Sequence, residues 1–148
     1  MARTFKKLVA VHWGDCDIAG IVYYPKFFDL INLVTEDWFK EELGTSYAEL
    51  MRNHHVGFPT VSVRCDFLVP CQFGEDIELS LFVASLGRSS LSLDFRGRVG
   101  GRECLRAVHT LVMMSRDTYS ALPIPDELRA RMEPFVNSDA DSSGAARN

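Results

Sequence analysis

Two spacings of apolar residues follow one another along the chain, and they predict a long helix and then a set of strands. The first spacing is three or four residues, the period of one helical face, and it links Phe27, Leu30, Ile31, Val34 and Trp38. Pro25 fits the first position of this helix, because its missing N–H needs no partner there. Gly44 fits the C-terminal stop.

The segments on either side of the long helix carry signals of their own. Residues 8–13 (LVAVHW) have the composition of a strand, which we expect to end at Gly14. Ser46 followed by Glu49 is typical of a capping box, and it predicts a short second helix that extends to Asn53.

After His55 apolar and polar residues alternate, which predicts strands with one buried face. The apolar positions of four such runs are Val61, Val63, Cys65 and Phe67; Ile77, Leu79, Leu81 and Val83; Leu91, Leu93 and Phe95; and Leu105, Ala107, His109, Leu111 and Met113. Turn signals separate the runs at residues 73–75, 86–88 and 100–101. One long helix beside an antiparallel sheet is an α+β arrangement.

Composition indicates one globular domain over residues 1–137. The chain has 148 residues, of which 47% are hydrophobic, enough to bury a sizeable core. Residues 123–134 are compatible with a further short helix, and the small, polar residues 138–148 predict a disordered tail. A net charge of −4 gives no support for a general nucleic-acid binder.

The cysteines and the N-terminus indicate a cytoplasmic protein. The cysteines form no CxxC pair of the kind that binds zinc, and a chain of this length needs no disulfide framework; they are Cys16, Cys65, Cys71 and Cys104. Reduced thiols are the simplest interpretation. The N-terminal apolar run is too short for a signal peptide, and no run approaches the length of a membrane span.

Residues 12–28 (HWGDCDIAGIVYYPKFF) place two aspartates shortly before the long helix. The first N–H groups of a helix lack intrahelical partners and carry partial positive charge, so they can stabilise an oxyanion. Because Pro25 has no N–H, the donor has to be Tyr24 or a residue beyond Pro25. A carboxylate just upstream can attack the polarised carbonyl or activate water. Capping of a local turn is the alternative use of Asp15 or Asp17.

The motif GDCDIAGIVYYPKFF, preceded by an aromatic residue, resembles the signature of the 4-hydroxybenzoyl-CoA thioesterase family of hotdog-fold acyl-CoA thioesterases. The order of elements agrees with that family over residues 5–115. The resemblance implies a long helix wrapped by a curved antiparallel sheet. It also implies dimers whose sheets join edge to edge, active sites at the dimer interface, and often tetramers. The implied reaction hydrolyses an acyl-CoA substrate to a carboxylic acid and CoA, without a metal or another cofactor.

The resemblance also assigns the catalytic residues. Asp17 matches the catalytic carboxylate, acting as nucleophile or general base, and the Tyr24 backbone N–H matches the oxyanion donor. Asp15 would then be structural. A metal site is not favoured, because His12, Asp15, Cys16 and Asp17 would point to alternating sides of an extended strand.

At the turn after residue 86 the resemblance implies a site for the phosphates of CoA. Arg88, Ser89 and Ser90 occupy the matching positions, although a hairpin turn with a solvated arginine would also explain Arg88. This run is less basic than that of some relatives. Arg96 or Arg98 is therefore a candidate for additional charge.

Three further residues match positions of the acyl pocket. Asn32 stands where relatives that act on the hydroxybenzoyl thioester carry an acid, so an aromatic and a short or medium acyl group both stay open. Residues 56–62 (VGFPTVS) resemble the segment that lines the pocket, with Phe58 as pocket wall or simple core and Thr60 as a substrate contact. His109 is expected to be a hydrogen-bonded core histidine rather than a base. A non-catalytic acyl-CoA or acyl-carrier binding protein is the alternative function, against which the intact Asp17 argues.

Overall fold

The long helix and the strands follow one another in the predicted order. A computed structural model describes residues 2–137. The helices and strands are β1 (Phe5–Ala10), α1 (Lys26–Glu42), α2 (Tyr47–Asn53), β2 (Val56–Gly57), β3 (Thr60–Phe67), β4 (Asp76–Leu86), β5 (Ser90–Val99), β6 (Arg102–Val112), β7 (Met114–Ser115) and α3 (Asp126–Met132). The helix that the sequence allows within residues 123–134 is α3, and the predicted tail of residues 138–148 lies outside the described residues.

Five strands form one antiparallel sheet in the order β1-β4-β5-β6-β3, while β2 and β7 pair separately. The inner positions of β4, β5 and β6 alternate as predicted and are buried in one core with the apolar face of α1. Trp38 and Phe39 of α1 are fully buried and pack edge to face. This is the α+β hotdog arrangement that the resemblance implies.

The ends of α1 follow from local sequence signals. Pro25 precedes the helix with φ −63° and ψ −21°, and Gly44 follows it with φ +72°, a conformation that side chains rarely adopt. The Arg131 guanidinium also lies 2.6 Å from the place where a Cβ at position 44 would stand, so a larger residue would have to displace that side chain as well as adopt the strained φ. Ser46 then accepts a hydrogen bond from the Glu49 N–H at 3.1 Å, as the predicted cap of α2 requires.

The prediction of a first strand over residues 8–13 is wrong in its bounds. β1 starts at Phe5, and its pairing with β4 ends at Ala10, opposite Asp76. The chain then turns, because the Asp15 N–H donates to the His12 carbonyl at 3.0 Å and Asp15 Oδ2 accepts from the His12 N–H at 2.9 Å. This reciprocal cap removes residues 12 and 13 from the sheet.

β3 is an edge strand whose apolar row is not buried within the single chain. Val63 pairs with His109 on the inner face, yet Val61, Val63 and Phe67 are 56%, 44% and 46% exposed. The reason is the strand order, since α1 packs mainly against β1 and β4, on the far side of the sheet. One buried face is therefore the right prediction for β4, β5 and β6 but not for β3.

Two findings on the described residues bear on other predictions. All four cysteines are free thiols, and Cys71 and Cys104 are buried. No helix within residues 2–137 combines the length and the apolar character needed to cross a membrane.

Candidate active site

The loop between β1 and α1 is a tight hairpin that carries both aspartates. The Asp17 N–H donates to the Ile21 carbonyl at 3.0 Å, and the Tyr23 N–H donates to the Asp15 carbonyl at 2.9 Å. The hairpin turns at Gly20, whose N–H donates to the Asp17 carbonyl at 3.0 Å and whose φ is +78°. The segment holding Asp17 is thereby fixed beside the segment that enters α1.

The two aspartates of this hairpin have different surroundings. The half-buried Asp15 side chain accepts from the His12 main chain, which is the structural role expected of it. Asp17 is exposed, and its Oδ1 accepts a hydrogen bond from the Ala19 N–H at 2.9 Å. No hydrogen bond within residues 2–137 reaches Asp17 Oδ2. The turn therefore orients the Asp17 carboxylate while leaving one oxygen available.

The Tyr24 N–H lies at the start of α1 and has no protein acceptor among the described residues. The next two amide donors are used, since the Lys26 N–H donates to the Tyr23 carbonyl at 2.8 Å and the Phe27 N–H to the Tyr24 carbonyl at 3.1 Å. Pro25 has no N–H to offer. Of the donors the sequence left open, Tyr24 is thus the one available at the positive end of the α1 dipole.

An apolar cavity of about 500 Å³ opens beside Tyr24. Phe67 of β3 forms part of its wall, with its ring 6.0 Å from the Tyr24 ring and 5.5 Å from the Phe27 ring. Residues 68–71 complete the wall. Cavities of this size and character bind small organic groups.

The turn between β4 and β5 is well fixed and presents an exposed arginine. The Gly87 N–H donates to the Ser90 carbonyl at 2.9 Å, and the Ser90 hydroxyl fills the place of a Cβ at position 87. The Met113 N–H donates to the Ser89 carbonyl at 2.8 Å. Arg88 is exposed at the tip of this turn.

Arg129 of α3 stabilises the main chain of this turn. Its Nη2 atom donates to the Gly87 carbonyl at 2.7 Å and to the Arg88 carbonyl at 3.2 Å. The Ile124 N–H adds a third bond, to the Arg88 carbonyl at 2.8 Å. Arg129 is not predicted by any sequence pattern, because its contact with the turn spans 41 residues and its only local signal is the predicted short helix.

Arg96 and Arg98 do not lie at the turn. They are six and eight residues beyond Ser90 on β5, roughly 20 and 26 Å along a strand. Both are engaged locally, Arg96 with Asp94 at 2.8 Å and Arg98 with the Gly101 carbonyl at 2.6 Å. Within the single chain they therefore add no charge at the turn that carries Arg88.

The three residues matched to the acyl pocket are not gathered in one cavity of the single chain. Asn32 is exposed on α1. Phe58 is buried with its ring 5.1 Å from the Phe39 ring, and it also lines a separate cavity of about 350 Å³ beside α2. Thr60 is exposed at the start of β3, with its hydroxyl oxygen 2.6 Å from Nε2 of the buried His109. Phe58 is therefore both core and cavity wall.

Comparison with known proteins agrees with this fold. The model of the thioesterase-like superfamily matches residues 11–132. The chain is 25% identical over 147 residues to the 1,4-dihydroxy-2-naphthoyl-CoA hydrolase of Nostoc punctiforme, and the aligned region covers 99% of this chain and 95% of that protein. It is 25% identical over 91 residues to the 4-hydroxybenzoyl-CoA thioesterase of Pseudomonas sp. strain CBS-3, covering 61% of this chain and 64% of that protein.

A solved structure supports the same assignment. The crystal structure of a thioesterase-superfamily protein from Jannaschia sp. CCS1 superposes with a TM-score of 0.84 at 28% identity, over 90% of this chain and 94% of that one. The resemblance that the motif in residues 12–28 carries is thereby confirmed. The chain belongs to the thioesterase-like superfamily of thioester hydrolases and has its hotdog fold.

Proposed function

We propose that the protein is an acyl-CoA thioesterase, which hydrolyses the thioester of an aromatic or a short to medium acyl group to the carboxylic acid and CoA. The observation that carries the proposal is the unpaired Tyr24 N–H at the start of α1, beside an apolar cavity and the Asp17 hairpin. Two relatives named for aromatic CoA thioesters favour an aromatic acyl group, with 4-hydroxybenzoyl-CoA as one candidate.

The proposed chemistry uses two groups of the chain. The Tyr24 N–H, reinforced by the dipole of α1, donates to the thioester carbonyl oxygen and stabilises the negative charge that develops there. Asp17 either attacks the carbonyl carbon or takes a proton from an attacking water. In the first route the C–S bond breaks, CoA leaves as the thiolate, and water hydrolyses the resulting mixed anhydride. The chain's own groups suffice for both routes, so we propose no cofactor.

Hydrolysis in ¹⁸O-labelled water tests for the anhydride route. In a single turnover in ¹⁸O-labelled water, with enzyme in excess, hydrolysis of an anhydride at its Asp17 carbonyl leaves label in the Asp17 side chain. Mass spectrometry of the peptide that holds Asp17 detects that label. Label in the Asp17 side chain therefore identifies the anhydride route, whereas label only in the released acid is expected both of general-base catalysis and of an anhydride that water attacks at its acyl carbonyl.

The exposed turn between β4 and β5 is proposed to hold the phosphates of CoA. Arg88 supplies a planar set of donors suited to phosphate oxygens, and the hydroxyls of Ser89 and Ser90 can add further donors. The three bonds from α3 and the preceding loop fix the turn without occupying the Arg88 side chain. A CoA thioester as substrate is also compatible with the cytoplasmic location that we propose.

Replacement of Arg88 should weaken nucleotide binding selectively. Arg88→Ala is expected to raise KM for acyl-CoA by about tenfold or more with little change in kcat, because a charge-assisted hydrogen bond made equally in the ground and transition states is lost. A pantetheine thioester without the nucleotide should show no such change. Arg98→Ala is the matched control, since Arg98 is also an exposed arginine but lies on β5 away from the turn and bonds to Gly101. Equal KM values for Arg88→Ala and wild type would contradict the site.

A second copy of the chain is the proposed partner along β3. β3 is an open edge with an exposed apolar row, an arrangement that promotes strand pairing. Two copies related by a two-fold axis through the middle of β3 would extend the sheet antiparallel and cover Val61, Val63 and Phe67. Pairs of such dimers would form the tetramer that the family resemblance implies.

A non-catalytic acyl-CoA or acyl-carrier binding protein is the competing function. It is favoured by the hydrogen bond from the Ala19 N–H to Asp17 Oδ1, which gives the carboxylate a purely structural use. Thiol release from a panel of aromatic and aliphatic acyl-CoAs decides between the two. Release from any member supports the thioesterase, whereas tight binding without release supports the binding protein.

A further inference from the structure

A hydrogen bond between a buried histidine and an exposed threonine connects the sheet interior to its open edge. Thr60 Oγ1 and His109 Nε2 are 2.6 Å apart. His109 is only 3% exposed on the inner face of β6, and its Nδ1 atom has no partner within the described residues. The main-chain ladder already joins β3 to β6 from Thr60 to Phe67. The bond between Thr60 and His109 is therefore not needed to hold this edge strand. Because a buried ring with one unpaired nitrogen is also unusual, the arrangement indicates a second role of the pair.

Burial determines how the pair shares its hydrogen atoms. It lowers the pKa of His109, so the ring is neutral at neutral pH and one nitrogen carries a hydrogen. A buried N–H without an acceptor is rarer in folded proteins than a buried acceptor without a donor. The hydrogen is thus assigned to Nε2, which donates to Thr60 Oγ1. The Thr60 hydroxyl hydrogen then points away from His109 and is available at the edge.

The proposed dimer brings this edge to the active site. A two-fold axis through the middle of β3 sets the start of one β3 beside the end of the other. The end of β3 carries Phe67, which packs against Tyr24 and lines the cavity there. Thr60 of one copy would therefore lie near the cavity and the free N–H of the second copy.

We infer that the Thr60 hydroxyl, oriented by His109, donates a hydrogen bond to an oxygen substituent on the ring of an aromatic acyl group. The inference rests on the proposed thioesterase function and deepens it by naming the donor that would distinguish a hydroxylated ring from an unsubstituted one. An unsubstituted ring would cover the Thr60 hydroxyl hydrogen without offering it an acceptor. Thr60 contacts the substrate, while His109 acts through Thr60 and is a positioning residue.

The test compares thioesters that differ by one hydroxyl group: benzoyl-CoA and its 2-, 3- and 4-hydroxy derivatives. For the preferred derivative, the ratio of its kcat/KM to that of benzoyl-CoA should fall roughly five- to tenfold in Thr60→Val, which removes the hydroxyl but keeps the side-chain shape. Thr60→Ser, the matched control, should retain the ratio.

The role of His109 has its own readout. His109→Phe should lower the same ratio as much as Thr60→Val does, and the double variant should lower it no further, because both changes remove one hydrogen bond. His109→Gln, whose amide N–H can replace Nε2–H, should recover part of the ratio. Ring ¹⁵N shifts of the wild type should show the hydrogen on Nε2, and a hydrogen on Nδ1 would overturn the assignment even if the His109 variants do not fold.

The outcomes separate this inference from the function on which it rests. If wild type releases thiol and Thr60→Val leaves all three ratios unchanged, the inference fails and the thioesterase stands. If wild type releases no thiol from any acyl-CoA, the proposed function fails. The ratios of Kd values for the same four thioesters then take the place of the kinetic ratios, and no difference between wild type and Thr60→Val overturns the inference.

Discussion

Asp17→Asn should reduce kcat by about a thousandfold or more, because an amide is a poor nucleophile and a poor base for water. The substitution keeps an oxygen that can accept from the Ala19 N–H, so the hairpin should keep its shape. Acyl-CoA binding should therefore change little. The measurement is single-turnover thiol release together with the Kd of the acyl-CoA.

Asp15→Asn is the matched control for this variant. It makes the same chemical change two residues upstream and keeps an acceptor for the His12 N–H, so turnover should stay within a few-fold of wild type. Hydrolysis by Asp17→Asn at the wild-type rate would show that Asp17 is only a turn residue. In that case the bond to Ala19 is the whole of its function.

Val63→Arg should convert the proposed dimer into single chains and abolish turnover. Val63 lies near the middle of the exposed row on β3, where the proposed axis would bring its two copies close together. Two cations pressed together and removed from water lose solvation and repel each other. Light scattering after size exclusion should give the mass of one chain, and far-UV circular dichroism should stay native.

Leu8→Arg provides the comparison for Val63→Arg. Leu8 is also an exposed apolar residue on an edge strand, but it lies on β1 at the opposite side of the sheet. The assembled mass and the rate should both survive this change. An unchanged mass for Val63→Arg would exclude β3 as the interface, and a monomer with full activity would exclude a shared active site.

Local signals in the sequence were sufficient to predict much of the fold. The bounds of α1 and α2 depend on Pro25, Gly44 and Ser46, each of which acts on its own neighbours along the chain. The alternation of β4, β5 and β6 likewise predicts which side chains enter the core. The predicted bounds of β1 are wrong because the strand ends where its pairing with β4 and the cap at Asp15 require. A local pattern of apolar and polar residues predicts neither contact.

The candidate site was less predictable because its contacts join distant parts of the chain. The motif in residues 12–28 predicts roles for Asp17 and Tyr24, which lie close together along the chain. Arg129 and the pairing of Thr60 with His109 depend on contacts across 41 to 49 residues, beyond the reach of any local pattern. Alternation also gave β3 an apolar face, but it contains no information on what covers that face.

The anchoring of the turn between β4 and β5 has a thermodynamic consequence for ligand binding. The turn is fixed by Arg129, Ile124 and Met113 before any ligand arrives, so its main chain has little conformational entropy left to lose. A preorganised loop loses less conformational entropy on binding, so more of its interaction energy contributes to affinity. If this turn holds the phosphates of CoA as proposed, removal of α3 would therefore weaken nucleotide binding without deleting a single atom that touches the nucleotide.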